Sequence, residues 1–387
     1  MAKKKSKSFS LILNGKFDYA LLIVTVVLVC FGLIMMLSAS SPTSISETGK
    51  STKYLIRQGR IVIIGIAIMF ILSKIDYKIY RKLSLPLYFG CLGILILVGF
   101  VGTAEGGARR WINIGGFFSL QPSEFVKVGI ALIYAEILTS LKEKGKIRHW
   151  FWGYAFPLML FIPFMYAVFI LQNHFSATLI MAAIICVEMF ACGSLLRYFI
   201  ATGCAGVGAI ALYIMKKSTS ASSEDGGFRL ERIQSWLNIE SDVTGKGWQI
   251  NQSLYAIGSG GLFGVGLGNS NQKYLYIPEP HNDFIFAVLA EELGFVGCVF
   301  VILLFAMFVW RGIVISVKSE DTYGTLVAIG LTTMIGLQAL INVAVVTNTI
   351  PVTGMPLPFF SYGGSAMLAD LIAVGILLSI SRNSKKS

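Results

Sequence analysis

Charge is the scarcest ingredient of this chain. Asp, Glu, Lys and Arg make up 13% of its 387 residues, where an ordinary soluble domain carries about 25%. Hydrophobic residues fill 55% of it and the mean hydropathy is +0.73. Those values exclude a soluble globular domain and predict a polytopic membrane protein whose core is a helix bundle. Cysteine offers no cross-linking pattern. Cys30, Cys91, Cys186, Cys192, Cys204 and Cys298 all lie inside apolar runs, and none forms a Cys-x-x-Cys pair. A disulfide framework or zinc site is thereby excluded, and small buried side chains are expected instead. There is no tandem repeat or low-complexity tract. The glycine-rich stretch GSGGLFGVGLG at 258–268 lacks the Gly-Lys-Ser/Thr ending of a P-loop and the βαβ setting of a dinucleotide fingerprint.

What charge there is falls in a pattern. The net charge of +12 invites a nucleic-acid reading, but its distribution argues for a membrane. Lys3, Lys4, Lys5, Lys7 and Lys16 precede the first apolar run. Lys74, Lys78, Arg81 and Lys82 follow the second, Lys142, Lys144, Lys146 and Arg148 the fourth, and Arg382, Lys385 and Lys386 close the chain. This is the bias of cytoplasmic loops. The run from Ala20 to Leu37 is longer than the apolar part of a signal peptide and is read as a retained span, although it ends in SAS.

Counting stretches of about 20 apolar residues gives roughly ten spans: 17–38, 55–73, 83–102, 119–140, 151–171, 176–192, 196–215, 283–310, 323–346 and 363–381. The fold class expected is therefore all-α polytopic membrane protein with about ten transmembrane helices. An even number puts both termini on one side, and their basic residues place that side in the cytoplasm. Residues 1–16 form a basic N-terminal tail, 17–381 a single membrane domain and 382–387 a C-terminal tail. One long extracytoplasmic loop, about 216–282, separates helices 7 and 8. Within it RLERIQSWL, 229–237, spaces Leu230, Ile233 and Leu237 on one face of a short helix suited to a membrane surface.

Four segments concentrate polar chemistry against this apolar background. In LYIPEPHNDFIFAVLAEELGFVG, 275–297, Asp283 stands where a long helix leaves the interface. An acid at bilayer depth costs roughly 2.5–3.5 kcal/mol on insertion scales, which makes it a functional candidate. Glu291 and Glu292 point elsewhere on that helix and cannot share a proton with Asp283; hydrogen bonding between helices is expected of them. GGARRWIN, 106–113, offers Arg109 and Arg110 either as interfacial anchors or as a bidentate site for phosphate. In QPSEFVKVG, 121–129, Glu124 and Lys127 share one helix face, either as a self-neutralising pair or with Lys127 holding an anionic head group. IPVTGMPLPFFSYGGS, 350–365, has the prolines and glycines of a re-entrant loop lining a cavity. The glycines of 258–268 either bring backbones close where the long loop re-enters the bundle or line a cleft.

Taken together these segments, with GKGWQINQSLYAIGSG before them, resemble the SEDS family of shape, elongation, division and sporulation proteins, which includes FtsW, RodA and SpoVE. The likeness covers nearly the whole chain, and PEPHNDFIFA and IPVTG lean toward the FtsW/SpoVE branch. The resemblance implies a peptidoglycan glycosyltransferase in the bacterial cytoplasmic membrane. Such an enzyme polymerises lipid II on the outer face with release of undecaprenyl pyrophosphate, in division or sporulation. The alternatives are a lipid II flippase and a non-catalytic scaffold for a penicillin-binding protein. The implied partners are lipid II, the growing glycan strand, a class B penicillin-binding protein and other divisome or sporulation membrane proteins, with no nucleic acid. Asp283 matches the family's essential aspartate and becomes the expected general base. Arg109, Arg110, Glu124, Lys127, His281 and Ser361 are the expected substrate-binding residues. No resident metal cluster is expected, while a divalent cation such as magnesium or manganese is compatible with the chemistry. One departure stands out: LQNHFSAT places Asn173 and His174 where many members have Pro-Asp.

Overall fold

The computed structural model describes residues 17–105, 108–114, 118–195, 197–199, 236, 246–274 and 279–383. The helices are α1 (Tyr19–Thr48), α2 (Lys53–Lys74), α3 (Lys78–Lys82), α4 (Ser84–Val101), α5 (Pro122–Glu143), α6 (Phe151–Leu171), α7 (Phe175–Cys192), α8 (Lys246–Gly260), α9 (Ile285–Lys318), α10 (Thr322–Val346) and α11 (Gly364–Arg382). Among the described residues, α1, α2, α4, α6, α7, α9, α10 and α11 are long and apolar enough to cross a membrane. α5 coincides with another expected span; it is 22 residues long but carries more charge. The chain is thus a multi-pass membrane protein. The expected seventh span at 196–215 and surface helix at 229–237 lie almost wholly outside the described residues.

Local chemistry sets the helix ends. Asp18 caps α1 by accepting from the Leu21 amide at 2.9 Å, and Asp321 caps α10 through Gly324 at the same distance. Pro122 opens α5, where no amide is required. Cysteines 30, 91, 186, 192 and 298 are free thiols, and Cys204 lies outside the described residues.

Two features depart from a plain bundle. The segment around the two arginines is a three-stranded antiparallel meander. It consists of β1 (Thr103–Glu105), β2 (Ala108–Ile114) and β3 (Phe118–Leu120), with Ile112 opposite Leu120 and Ala104 opposite Arg109. α9 also begins two residues after Asp283, so that aspartate sits in a turn rather than on the helix.

α9 is broken at Gly294 (φ 66°, ψ −165°). The groups released there bond to the glycine-rich segment. Val265 and Gly266 donate to the Glu291 and Glu292 carbonyls at 3.0 and 3.1 Å, while Phe295 and Val296 donate to Gly261 and Leu262 at 2.9 and 3.1 Å. Close backbone packing is therefore what 258–268 provides. A β-carbon at Gly264 (φ 79°) would stand 2.1 Å from the Glu292 carbonyl oxygen. Gly264→Ala is expected to destabilise by at least roughly 1–3 kcal/mol, the usual cost of overpacking, with backbone strain added. Gly258, whose β-carbon would meet nothing within 4 Å among the described residues, should tolerate Ala with little change. Thermal melting of both variants in detergent checks the contrast.

Candidate functional site

One end of the bundle gathers the termini of five helices. α5, α7, α9 and α11 begin there and α10 ends there, tied together by polar bonds. Gln121 donates to Ser365 Oγ at 2.8 Å, Ser176 Oγ to the Thr353 carbonyl at 2.7 Å, and Lys127 Nζ to Gln338 Oε1 at 2.8 Å.

The turn bearing Asp283 is gripped through three successive carbonyls. His281 O accepts from the Tyr362 amide at 2.8 Å, Asn282 O from Ser361 Oγ at 2.7 Å and Asp283 O from Asn342 Nδ2 at 2.8 Å. Asn342 Nδ2 also reaches Met355 O at 2.7 Å, and Ser361 Oγ accepts from the Leu357 amide at 2.7 Å. The 350–363 loop thus turns back into the bundle end and fixes the aspartate's backbone. A β-carbon at Gly354 would be 3.4 Å from Asp283 Oδ2, so the loop lies against the carboxylate itself.

The carboxylate is left available. Among the described residues it has no hydrogen bond or ion pair. Part of Asp283 reaches solvent, yet lost hydration, and then the charge of Glu279, raise its pKa to about 6. His281 is buried and loss of hydration lowers its pKa, against the pull of Glu279 and Glu47. Its ring clusters with Tyr54 and Tyr362, with centroids at 4.7 and 5.6 Å, and Nδ1 has no partner among the described residues.

The other expected residues divide by position. Ser361 spends its hydroxyl on backbone. Lys127 is fully buried, 2.7 Å from Glu124, and its bond to Gln338 continues through Gln338 Nε2 to the Pro356 carbonyl at 3.3 Å. Arg109 donates to Phe100 O at 2.8 Å, and Arg110 to Gln172 O and Asn173 O at 2.9 and 2.6 Å, so both hold carbonyls at helix ends. The departure at 173–174 has a backbone reason to persist. Asn173 has φ 52°, which asparagine tolerates and proline's fixed ring angle forbids. His174 is buried with Nδ1 3.4 Å from Ser123 Oγ.

A cavity of about 180 Å³ opens beside the aspartate's turn, lined by Arg57, Ile61, Trp111, Ser119, Asn282, Tyr362 and the glycines that start α11. Arg57, which also meets the Tyr362 hydroxyl, was not singled out in the sequence. It is one cation near the start of an apolar helix, and its only signal is the one that flagged Asp283: charge at the mouth of a span. Glu292 behaves as expected of an interhelical group, whereas Glu291 bonds to the non-helical segment at 270–272 instead. Glu291 accepts from Ser270 Oγ and from the Asn271 amide, and Glu292 accepts from Ser38 of α1 at 2.6 Å and pairs with Lys273 at 2.8 Å. Among the described residues no group of three or more His, Cys, Asp or Glu gathers as a metal site.

The family model for FtsW, RodA and SpoVE, described as cell cycle protein, matches residues 19–386. The chain belongs to this family. The stage V sporulation protein E of Bacillus subtilis (strain 168) is 40% identical over 370 residues, 95% of this chain and 98% of that protein. A probable peptidoglycan glycosyltransferase FtsW of Geobacter sp. (strain M18) is 38% identical over 94% of this chain and 96% of its own length. Among solved structures, a chain from a peptidoglycan synthase complex that coordinates polymerization and crosslinking superposes with a TM-score of 0.77 at 27% identity. It covers 95% of this chain and 98% of its own. The rod shape determining protein RodA of Thermus thermophilus gives 0.69 at 27% identity, over 96% and 98%. Family membership and the geometry at the Asp283 turn rest on separate observations.

Proposed function

We infer that this chain is a peptidoglycan glycosyltransferase that polymerises lipid II, with the Asp283 end of the bundle as its active site on the outer face of the bacterial cytoplasmic membrane. The observation that carries the mechanism is a lone, accessible carboxylate with a pKa of about 6 in a turn held rigid through its carbonyls. The carboxylate takes the proton from the 4-hydroxyl of the acceptor's GlcNAc. That oxygen attacks C1 of the donor's MurNAc from the face opposite the phosphate, the C1–O bond to undecaprenyl pyrophosphate breaks, and configuration inverts. A pyrophosphate departs without a general acid, so one carboxylate suffices where an inverting glycosidase uses two.

Charge developing on the pyrophosphate calls for fixed cations. Arg57 lines the cavity beside the turn, and Arg109 and Arg110 hold the meander over the same end. Lys127 and Glu124 act through Gln338 on the re-entrant loop, and His281 and Ser361 set its position around the acceptor. A divalent ion such as magnesium or manganese, if taken up, would be held by the donor's phosphates and would neutralise their charge, leaving Asp283 free as the base. The partner that supports this reading is a class B penicillin-binding protein, since the synthase complex that superposes on this chain couples polymerization to crosslinking. Other division or sporulation membrane proteins complete the setting.

Incubating the purified protein with lipid II, alone and with its penicillin-binding partner, tests the reading: glycan polymer is the expected product. Lipid II carried across vesicles with no polymer formed would instead establish a flippase. The rate should also fall as the base is protonated, with a midpoint of about pH 6. Glu279 raises that value, so Glu279→Gln should move the midpoint to lower pH. A profile flat from pH 5 to 8 would remove Asp283 as the base.

A further inference from the structure

The opposite end of the bundle holds a second polar assembly that glycosyl transfer does not use. Glu188 lies about one turn before the end of α7 and is fully buried, and neither of its carboxylate oxygens has a partner among the described residues. α10 makes the room for it. A β-carbon at Gly330 would stand 2.0 Å from Glu188 Oε1 and 3.1 Å from the Ala131 side chain of α5. Tyr134 of α5 and Tyr323 of α10 are also fully buried, with hydroxyls lacking partners among the described residues, and both lie within electrostatic reach of Glu188. Cys192 on α7 is the remaining titratable group in reach. Tyr323 is also in electrostatic reach of Glu136, Tyr80 and Asp321, and Tyr134 of Tyr88. Among the described residues Glu188 has no ion-pair or hydrogen-bond partner.

Three neighbouring polar side chains without partners in one helix interface call for an occupant, because buried polar groups are almost always satisfied. A bare carboxylate in such surroundings must be neutralised. One carboxylate carries one negative charge, which a single proton or monovalent ion neutralises, and no cluster of three His, Cys, Asp or Glu gathers there among the described residues to hold a multivalent metal. A polar cavity of about 360 Å³ at this end is lined by Arg81, Thr139, Lys142, Ala191, Asp321 and Tyr323, among others. Tyr323 belongs to both cavity and assembly, and Ala191 shares the Glu188 face of α7.

We propose that Glu188, Tyr134 and Tyr323 form a buried site for a small monovalent cation, a proton or a sodium ion, loaded from the end of the bundle opposite Asp283. The three helices that enclose it are those that carry Lys127, Ser176 and Asn342 at the other end.

Dicyclohexylcarbodiimide, which attacks protonated carboxyls in apolar surroundings, is the probe. After treatment of the purified full-length protein, peptide mass spectrometry should find an adduct on Glu188, lost in Glu188→Gln. Sodium added at constant ionic strength against choline separates the two ions. Protection by sodium identifies sodium, whereas labelling indifferent to sodium that declines as pH rises identifies the proton. The melting temperature should shift with the identified ion in the wild type and not in Glu188→Gln. Either the adduct or the ion-dependent shift supports the site. The absence of both from wild-type protein overturns it, whether or not the variant folds.

Discussion

Asp283→Asn protein is expected to fold, insert and leave lipid II unpolymerised, with turnover reduced by roughly 10²–10⁴-fold, the usual contribution of a positioned general base. The substitution is a clean one here. The bond that holds this residue runs from Asn342 Nδ2 to its main-chain carbonyl, and the gripping contacts at His281 and Asn282 are also to main chain. None of them depends on the carboxylate. The amide has nearly the same volume and removes only the proton acceptor and its charge, the group whose pKa lost hydration raises to about 6. Size-exclusion behaviour and melting temperature should therefore match the wild type while polymer disappears. Any residual rate in the variant should lose its dependence on pH near 6. Polymerisation at the wild-type rate by folded Asp283→Asn would place the base elsewhere.

Much of this architecture is legible in the sequence because a membrane imposes a simple rule: apolar runs of fixed length must be helical to satisfy their backbone. The expected spans from 17–38 to 176–192 and from 283–310 to 363–381 each coincide with a helix. The packing role of 258–268 was legible as one of two readings, since so many glycines have few uses away from a phosphate. Less legible was anything whose stability comes from distant pairing. β1 and β3 are three residues each and exist only because β2 lies between them. α8 presents Ile250, Ser253, Ala256 and Gly260 to the bundle, a face too small and too polar to stand out by hydropathy. Its contacts are specific instead, such as Ser253 Oγ to Val346 O at 2.9 Å. At the site, Asp283 was marked by the cost of its position. What happens to Lys127 depends on Gln338, which lies 211 residues away in sequence, and Arg57 is indistinguishable in sequence from a snorkelling cation. Residue type thus marks where chemistry is concentrated, while folding decides whether a charge is spent on a neighbour or left for a ligand.

Lys273 illustrates a charge that is spent, and its removal should have the largest effect on stability. It is 3% exposed and Glu292 fully buried. Lys273 Nζ lies 2.8 Å from Glu292 Oε1, 2.6 Å from Gly268 O and 3.1 Å from Ser38 Oγ, joining the glycine-rich segment to both α9 and α1. Removing one partner of a buried pair strands the other charge, at a cost of about 3–5 kcal/mol. Lys273→Met should therefore melt well below the wild type, and its activity should fall with the folded fraction. The double variant Lys273→Met/Glu292→Leu removes both charges and should regain most of the loss, because replacing a buried pair with apolar side chains is often neutral or stabilising. The backbone bonds from Val265 and Gly266 to α9 remain to hold the segment in place. Neither residue lines the cavity beside Asp283, so the double variant should also polymerise lipid II once folded. A single variant as stable as the wild type would mean that the glycine-backbone contacts alone pin this segment. A stable double variant without activity would instead give the buried pair a part in positioning the Asp283 turn, ten residues farther along the chain.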